Sequence, residues 1–226
     1  MTDFTIEELF VINIGDIEWM IGSTHFSVLM ISLFLIGFSI YVNRRFKRFQ
    51  EVPTGLQNFV EMVIELFDKF AVTTMGQQGK KFASYFLTLF VFLIISNLSG
   101  LVLLRPPTAD YAVPLGLAII SFFMFQYYGI KAKGVGGYLK GLTEPIVFLT
   151  PINVIGELAN PVSLSFRLFG NIIGGTVLLS LYYSTPWFMN IGIPGFLHFY
   201  FDIFAGLLQA FVFTILSMVL LTGAME

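Results

Sequence analysis

Cysteine is absent from the 226 residues, which excludes a disulfide framework, a thiolate metal site and a thiol nucleophile. Charge is scarce: Asp, Glu, Lys and Arg make up 12% of the chain, against about a quarter in soluble domains. The 12 basic and 14 acidic residues leave a net charge of −2, so no nucleic-acid footprint is expected. His25 and His198 are the only histidines, too few and too far apart for a haem-type pair. Gly134, Gly136 and Gly137 are not followed by the Gly-Lys-Ser/Thr of a phosphate loop, and read as a flexible connector. Residues 1–22 hold five acids (Asp3, Glu7, Glu8, Asp16 and Glu18) and no Lys or Arg, which argues against a secretory signal. Neither a cofactor nor a metal nor a nucleotide site is expected. What is abundant is apolar: 56% hydrophobic residues, 27 of them Phe, and a mean hydropathy of +0.84. Apolar runs of bilayer length recur along the chain, the pattern of a polytopic membrane protein.

The runs predict an all-α fold with five membrane-crossing helices and one amphipathic surface helix in a single membrane domain. Residues 1–23 form an external segment, and the first span covers 24–42. The basic cluster Arg44, Arg45, Lys47 and Arg48 follows it and is placed in the cytoplasm by the positive-inside rule. Over 55–70, Asn58, Glu61, Glu65 and Asp68 share one helical face. Phe59, Val63, Leu66, Phe67 and Phe70 share the other. That polar face is acidic, so another protein subunit suits it better than lipid headgroups. Spans at 82–104 and 111–130 form a hairpin, and Lys131, Lys133 and Lys140 mark the next connection as cytoplasmic. The run 146–183 would be about 57 Å long as one helix, nearly twice the hydrocarbon thickness. It must therefore tilt, bend near Pro151 or Pro161, or break. The last span covers 195–222. Ten of the twelve basic residues then lie inside, with the N-terminus out and the C-terminus in. No inverted repeat of the kind found in many secondary transporters is visible.

Arg167 is the residue that the apolar background makes conspicuous. A charge at mid-bilayer costs about 2.5–3.5 kcal/mol on insertion scales, and Arg cannot shed its proton. Snorkelling to an interface is one escape, but Arg167 lies near the middle of its run. Ser163, Arg167, Gly170, Asn171 and Gly174 are spaced by three and four and share one stripe. Its glycines permit close approach of another helix, within the bundle or outside it. The guanidinium favours a contact with something that carries a carboxylate. Glu157 and Asp202 are acids inside spans, one towards each side, and neither is at the Arg level. Gln209, seven residues after Asp202 and on its helical face, is the expected polar neighbour of Arg167. Interhelical hydrogen bonding alone also accounts for Gln209 and Asn171. His198 suits either a proton relay or an interfacial structural role.

At these residues the chain resembles a known family. Pro161-Val162-Ser163-Leu164-Ser165-Phe166-Arg167-Leu168-Phe169-Gly170-Asn171 is closely similar to the signature of subunit a of bacterial F-type ATP synthases. Pro107-Thr108-Ala109-Asp110, Pro151-Ile152-Asn153 and Leu208-Gln209-Ala210-Phe211-Val212-Phe213 resemble further segments of that family, in the same order. The resemblance implies a stator subunit packed against a ring of c subunits, with peripheral-stalk b subunits and the other synthase subunits as partners in the bacterial cytoplasmic membrane. Its last two helices would be long and tilted. Arg167 would face the carboxylate of each passing c subunit, with Gly170 and Gly174 allowing close packing on the ring. Two offset half-channels would carry H⁺ or Na⁺. Glu157 would serve the inner one, and Asp202, His198 and Asp110 the outer one, with Ser163, Asn171 and Gln209 along the path. Many relatives have Glu where this chain has Thr176, and often His where it has Asp202, so the outer carboxylate is assigned to Asp202. The competing readings are a self-contained ion channel or ion-coupled transporter, and a structural or quinone-binding subunit of a respiratory complex.

Overall fold

The computed structural model describes residues 8–14, 17–46, 55–102, 104–144, 146–185 and 193–226. Two short antiparallel strands, β1 (Glu8–Ile14) and β2 (Ile17–Gly22), come first. No regular structure is read from the sequence there, yet Val11, Ile12, Ile14, Ile17 and Ile21 supply the β-branched residues that favour strands. The remainder is helical: α1 (Ser23–Phe46), α2 (Leu56–Met75), α3 (Gly79–Leu98), α4 (Ala112–Thr143), α5 (Thr150–Tyr183), α6 (Ile193–His198) and α7 (Ala205–Met225). A π-helical turn, Phe199–Phe204, joins α6 to α7 without a break. Five helical segments are long and apolar enough to cross a membrane: Ser23–Arg45, Leu56–Val102, Ala112–Thr143, Val147–Tyr183 and Ile193–Met225. Beyond its small hairpin, this is an all-α polytopic membrane protein.

Three elements differ from the sequence expectation, each for a local reason. The connector after residue 130 is helical to Thr143 and changes direction at Gly134, whose φ of 72° and ψ of 161° interrupt the helix. Only glycine adopts such backbone at little cost, so the flexible connector is in fact a hinge between two helical arms. The amphipathic helix runs on to Met75, and its apolar side is divided. Phe67 is buried with Val60, Ala71 and Met75, while Phe59 and Leu66 point outward. Leu66 and Phe67 are consecutive and so stand about 100° apart on a helix, too far to serve one face. The run 146–183 becomes a single 3-10 turn, Val147–Leu149, and then one 34-residue helix with Pro161 inside it. That helix is about 51 Å long at 1.5 Å per residue.

Helix α7 is the centre of the bundle and touches α2, α3, α4 and α5. Its Ala210, Phe213, Met218 and Leu221 are fully buried with Phe86 and Leu93 of α3, Ala118 of α4 and Leu168 of α5. Lipid tails are as apolar as these side chains, so close packing and polar contacts, rather than transfer out of water, hold helices together in a bilayer. Small residues at the contacts, Ala71, Ala83, Ala118 and Ala210, let the backbones approach. On the exposed side of α2, Lys69 pairs with Glu65 at 2.8 Å and holds that carboxyl below its usual range. An exposed pair of this kind adds little stability.

The turn between α2 and α3 leaves no room. Gly76 has a φ of 67°, and a Cβ at Gly79 would lie 2.2 Å from the Ala71 carbonyl oxygen and 2.6 Å from its carbon. These are backbone atoms that cannot swing aside. Gly79→Ala is therefore expected to cost at least the roughly 1–3 kcal/mol of an overpacked site. The measurement is thermal unfolding in detergent, with Gly116→Ala, where a Cβ meets open space, as the neutral comparison.

Candidate functional site

Helix α5 has two faces of different character. Pro161, Leu164, Ser165, Leu168, Gly175 and Leu179 are buried against the bundle. Ser163, Arg167 and Gly170 are exposed on another side, and Asn171 and Gly174 are half-buried at its margin. Among the described residues, no atom beyond the helix's own nearby backbone lies within 4 Å of where a Cβ would stand on Gly170 or Gly174. Gly175, one residue on, would by contrast meet the Phe201 Cβ at 3.3 Å. The glycine stripe is thus open outward, and packing inside this chain does not explain it. No hydrogen bond or ion pair joins Arg167 to another described residue. Tyr111 helps to fix the helix at this level: its hydroxyl lies 3.2 Å from Ser165 Oγ, and its ring packs 4.9 Å from Phe166 and 5.4 Å from Phe169.

Glu157 lies ten residues before Arg167, about 15 Å along the helix at 1.5 Å per residue. It borders a cavity of about 450 Å³ whose lining includes Gln126, Lys133, Tyr138, Asn160 and Gly223. Gln126 Nε2 donates to Glu157 Oε2 at 2.9 Å. The Tyr138 hydroxyl sits between the Gln126 carbonyl oxygen and the Glu157 carboxylate, in hydrogen-bond contact with both. Tyr138 belongs to the arm of α4 beyond Gly134, and Asn153 Nδ2 tethers the end of that arm by donating to the Leu142 and Glu144 carbonyls at 2.9 and 3.0 Å. Gln126 and Tyr138 were not singled out from the sequence. No motif marks either, because the backbone break at Gly134 is what brings Tyr138 back over the cavity.

The other end of α5 carries a second polar cluster. His198 Nδ1 lies 2.5 Å from Asp202 Oδ2, and His198 Nε2 lies 2.8 Å from the Tyr183 hydroxyl. Tyr183 is sixteen residues beyond Arg167, about 24 Å of helical rise. The i, i+4 spacing of His198 and Asp202 makes that pair legible in the sequence, whereas Tyr183 comes from another helix. Asp110 is not bonded to this cluster among the described contacts; its Oδ1 accepts from the Ala112 amide at 3.1 Å and caps α4. Thr176 donates to the Ile172 carbonyl at 2.8 Å, a bond within its own helix.

Gln209 is buried, and the Nε2 of Gln209 and Nδ2 of Asn171 are both enclosed without a hydrogen-bond partner among the described residues. Gln209, the expected polar neighbour of Arg167, faces the bundle while Arg167 is exposed, and no hydrogen bond joins the two among the described residues. Asp202 lies inside the π turn, so the seven-residue count from Asp202 to Gln209 starts outside regular α-helical spacing.

Residues 25–222 match the family described as ATP synthase A chain. The chain belongs to the ATP synthase A chain family. Subunit a of the Citrifermentans bemidjiense ATP synthase is 36% identical over 199 residues, which cover 86% of this chain and 85% of that one. The Staphylococcus carnosus subunit a is 34% identical over 220 residues and 90% of each chain. The protein named ATP synthase subunit a, sodium ion specific, from Propionigenium modestum is 37% identical over 194 residues, covering 79% of this chain and 66% of the other. As an ATP synthase A chain, the protein is a membrane-sector component of a larger complex that couples ion transport to ATP synthesis.

The lack of native cysteine makes the cavity directly testable. In this ATP synthase A chain, Asn160→Cys is expected to react with a water-soluble thiol reagent at least about tenfold faster than Ser165→Cys, because exposure governs thiol reactivity. Asn160 borders the cavity, and Ser165 is fully buried. Mass spectrometry of the labelled complex measures both rates.

Proposed function

We propose that the chain is the stator half of a rotary ion motor, in which Arg167 faces the ion-binding carboxylates of a c-subunit ring. One observation carries this reading. A permanently charged side chain lies exposed on an apolar helix, on an outward stripe with open Gly170 and Gly174, and no described residue answers its charge. A c-subunit carboxylate must be neutral, through H⁺ or Na⁺, to pass through lipid. Beside Arg167 its ionised form is favoured, as an opposite charge lowers a carboxylate pKa. The site then gives up its ion to one aqueous half-channel and reloads from the other, while the fixed charge blocks direct leakage between them.

In this reading Glu157 serves the inner path, with Gln126 and Tyr138 beside it. Asp202 and His198 serve the outer path, with Tyr183 added and Asp110 near the mouth. Ser163, Asn171 and Gln209 line the stretch between. Two of these, Asn171 and Gln209, present enclosed donors with no protein partner, the condition in which a buried polar atom takes up water. The acidic face of α2 would meet another subunit, the peripheral-stalk b subunits being the expected ones. The basic connections support an orientation with the N-terminus outside and the C-terminus in the cytoplasm, and in this reading the membrane is the bacterial inner membrane.

Removing an opposite charge raises a neighbouring carboxylate pKa by about 1–3 units, so ion release in Arg167→Ala should slow roughly 10- to 1000-fold. ATP-driven ion uptake by vesicles containing the complex is expected to fall to background while ATP hydrolysis by the soluble sector persists. Full coupled pumping by that variant would sink the assignment. Asp202→Asn is expected to slow ATP synthesis at low outside ion concentration. The self-contained channel makes the opposite prediction for the purified chain: it would pass ions by itself, whereas the stator has negligible flux without its ring.

A further inference from the structure

The π turn Phe199–Phe204 contains Asp202 and joins His198 to helix α7, and the chain holds it from two sides, at Gly206 just past its end and at Phe201 within it. On one side, Asn97 of α3 donates from Nδ2 to the Gly206 carbonyl at 2.8 Å. Thr108, from the 3-10 turn Pro107–Ala109, donates its hydroxyl to Asn97 Oδ1 at 2.8 Å. Asn97 and Thr108 are buried. The amide orientation is fixed chemically, because the Gly206 carbonyl can only accept and the amino group of Asn97 must face it. Gly206 is essential to the approach: a Cβ there would stand 3.2 Å from the Asn97 Cβ. On the other side, Gly175 of α5 lets Phe201 come within the same close range.

A π turn bonds five residues back, as the Ala205 amide does to the Tyr200 carbonyl. It absorbs one more residue than an α-helical turn. Were it to relax to α-helix, everything before it would rotate by about 100° and shift by about 1.5 Å relative to α7. His198 would move with it, and Asp202, inside the turn, would change its direction relative to α7. π turns inside α-helices are rare and often mark functional sites. The local sequence Phe199-Tyr200-Phe201-Asp202-Ile203-Phe204 carries no signal for one, and the turn is bracketed by two holds, Phe201 seated on Gly175 within it and Gly206 bonded to Asn97 two residues past it.

We propose that Asn97 and Thr108 are positioning residues for ion uptake, which act by holding the π turn and thereby setting where Asp202 and His198 stand relative to Gln209 and the Arg167 stripe. The proposal rests on the outer-path role given to Asp202 above. Neither Asn97 nor Thr108 touches the ion; their effect passes through the backbone of Gly206.

The test uses the whole ATP synthase in vesicles, with H⁺ followed by a pH-sensitive dye and Na⁺ by radiolabel. Thr108→Val removes the hydroxyl at nearly constant volume, and Thr108→Ser keeps it. Thr108→Val is expected to raise the outside ion concentration for half-maximal synthesis several-fold with little change in maximal rate, and Thr108→Ser to restore the wild-type response. Gly206→Ala should behave as Thr108→Val does. Combined with Asp202→Asn, Thr108→Val should add nothing, since both act on one group. Hydrogen exchange over residues 199–206 of the complex should quicken in Thr108→Val, a readout that survives loss of activity. A wild-type concentration dependence in Thr108→Val beside an impaired Asp202→Asn would overturn the clamp alone. Multiplying effects in the double variant, or unchanged exchange, would overturn it too. A wild-type response of Asp202→Asn by itself would overturn the outer-path reading first.

Discussion

A guanidinium held in the middle of an apolar helix must be answered by a carboxylate, by water or by both, because it cannot lose its proton. The geometry around Arg167 follows from that constraint. The buried face of α5 keeps Leu164, Leu168 and Leu179 for the bundle, and the charge is turned to the other side. Gly170 and Gly174 keep the surface low around it. The acids of the same chain stay away: Glu157 lies about 15 Å along the helix, and Asp202 is engaged with His198. An internal ion pair would satisfy Arg167 and remove its capacity to act on a passing carboxylate. On the stator reading proposed above, distance from the chain's own acids is therefore a functional property, not a defect of packing.

The two clusters at either end of α5 show how a membrane protein can keep polar groups where lipid would penalise them. Each carboxylate has hydrogen-bonding groups beside it: Gln126 and Tyr138 for Glu157, and His198, itself bonded to Tyr183, for Asp202. Neither is paired with a Lys or Arg among the described residues, and such a permanent charge would hold the carboxylate ionised. The bundle that carries them depends on small residues at helix contacts and on a few buried hydrogen bonds. Asn97 is the most consequential of these, since one side chain ties three parts of the chain together.

How much was legible in the sequence depends on whether a feature was written in periodicity. The Arg167 stripe lies within unbroken helical spacing and is visible in the sequence, and His198 and Asp202 are close enough in sequence to be read together although a π turn begins between them. The five apolar segments are visible from length and hydropathy alone. What escaped was set by backbone irregularity. Gly134 turns a connector into a hinge and brings Tyr138 to Glu157. The π turn that contains Asp202 departs from α-helical spacing, and no feature of the sequence announces it. The strands over 8–22 were missed because a run of β-branched residues beside a membrane span reads as more apolar chain. Tyr183 and Gln126 are ordinary residues whose partners come from another helix.

The resemblance implies Glu where this chain has Thr176 and His where it has Asp202, and, on the outer-path reading proposed above, the helix contacts account for that exchange. Gly175 on α5 would place a Cβ 3.3 Å from Phe201 in the π turn, so the two backbones are neighbours at that point. Thr176 and Asp202 are the next residues along each strand of this contact. A carboxylate lost from one side can therefore be supplied from the other at nearly the same depth. Thr176, bonded to the Ile172 carbonyl, then serves only its own helix, and the charge is carried by a residue that His198 already holds. What such a path must conserve is a carboxylate at a given height in the membrane. The helix that bears it is free to vary, provided the glycine that brings the two helices together stays.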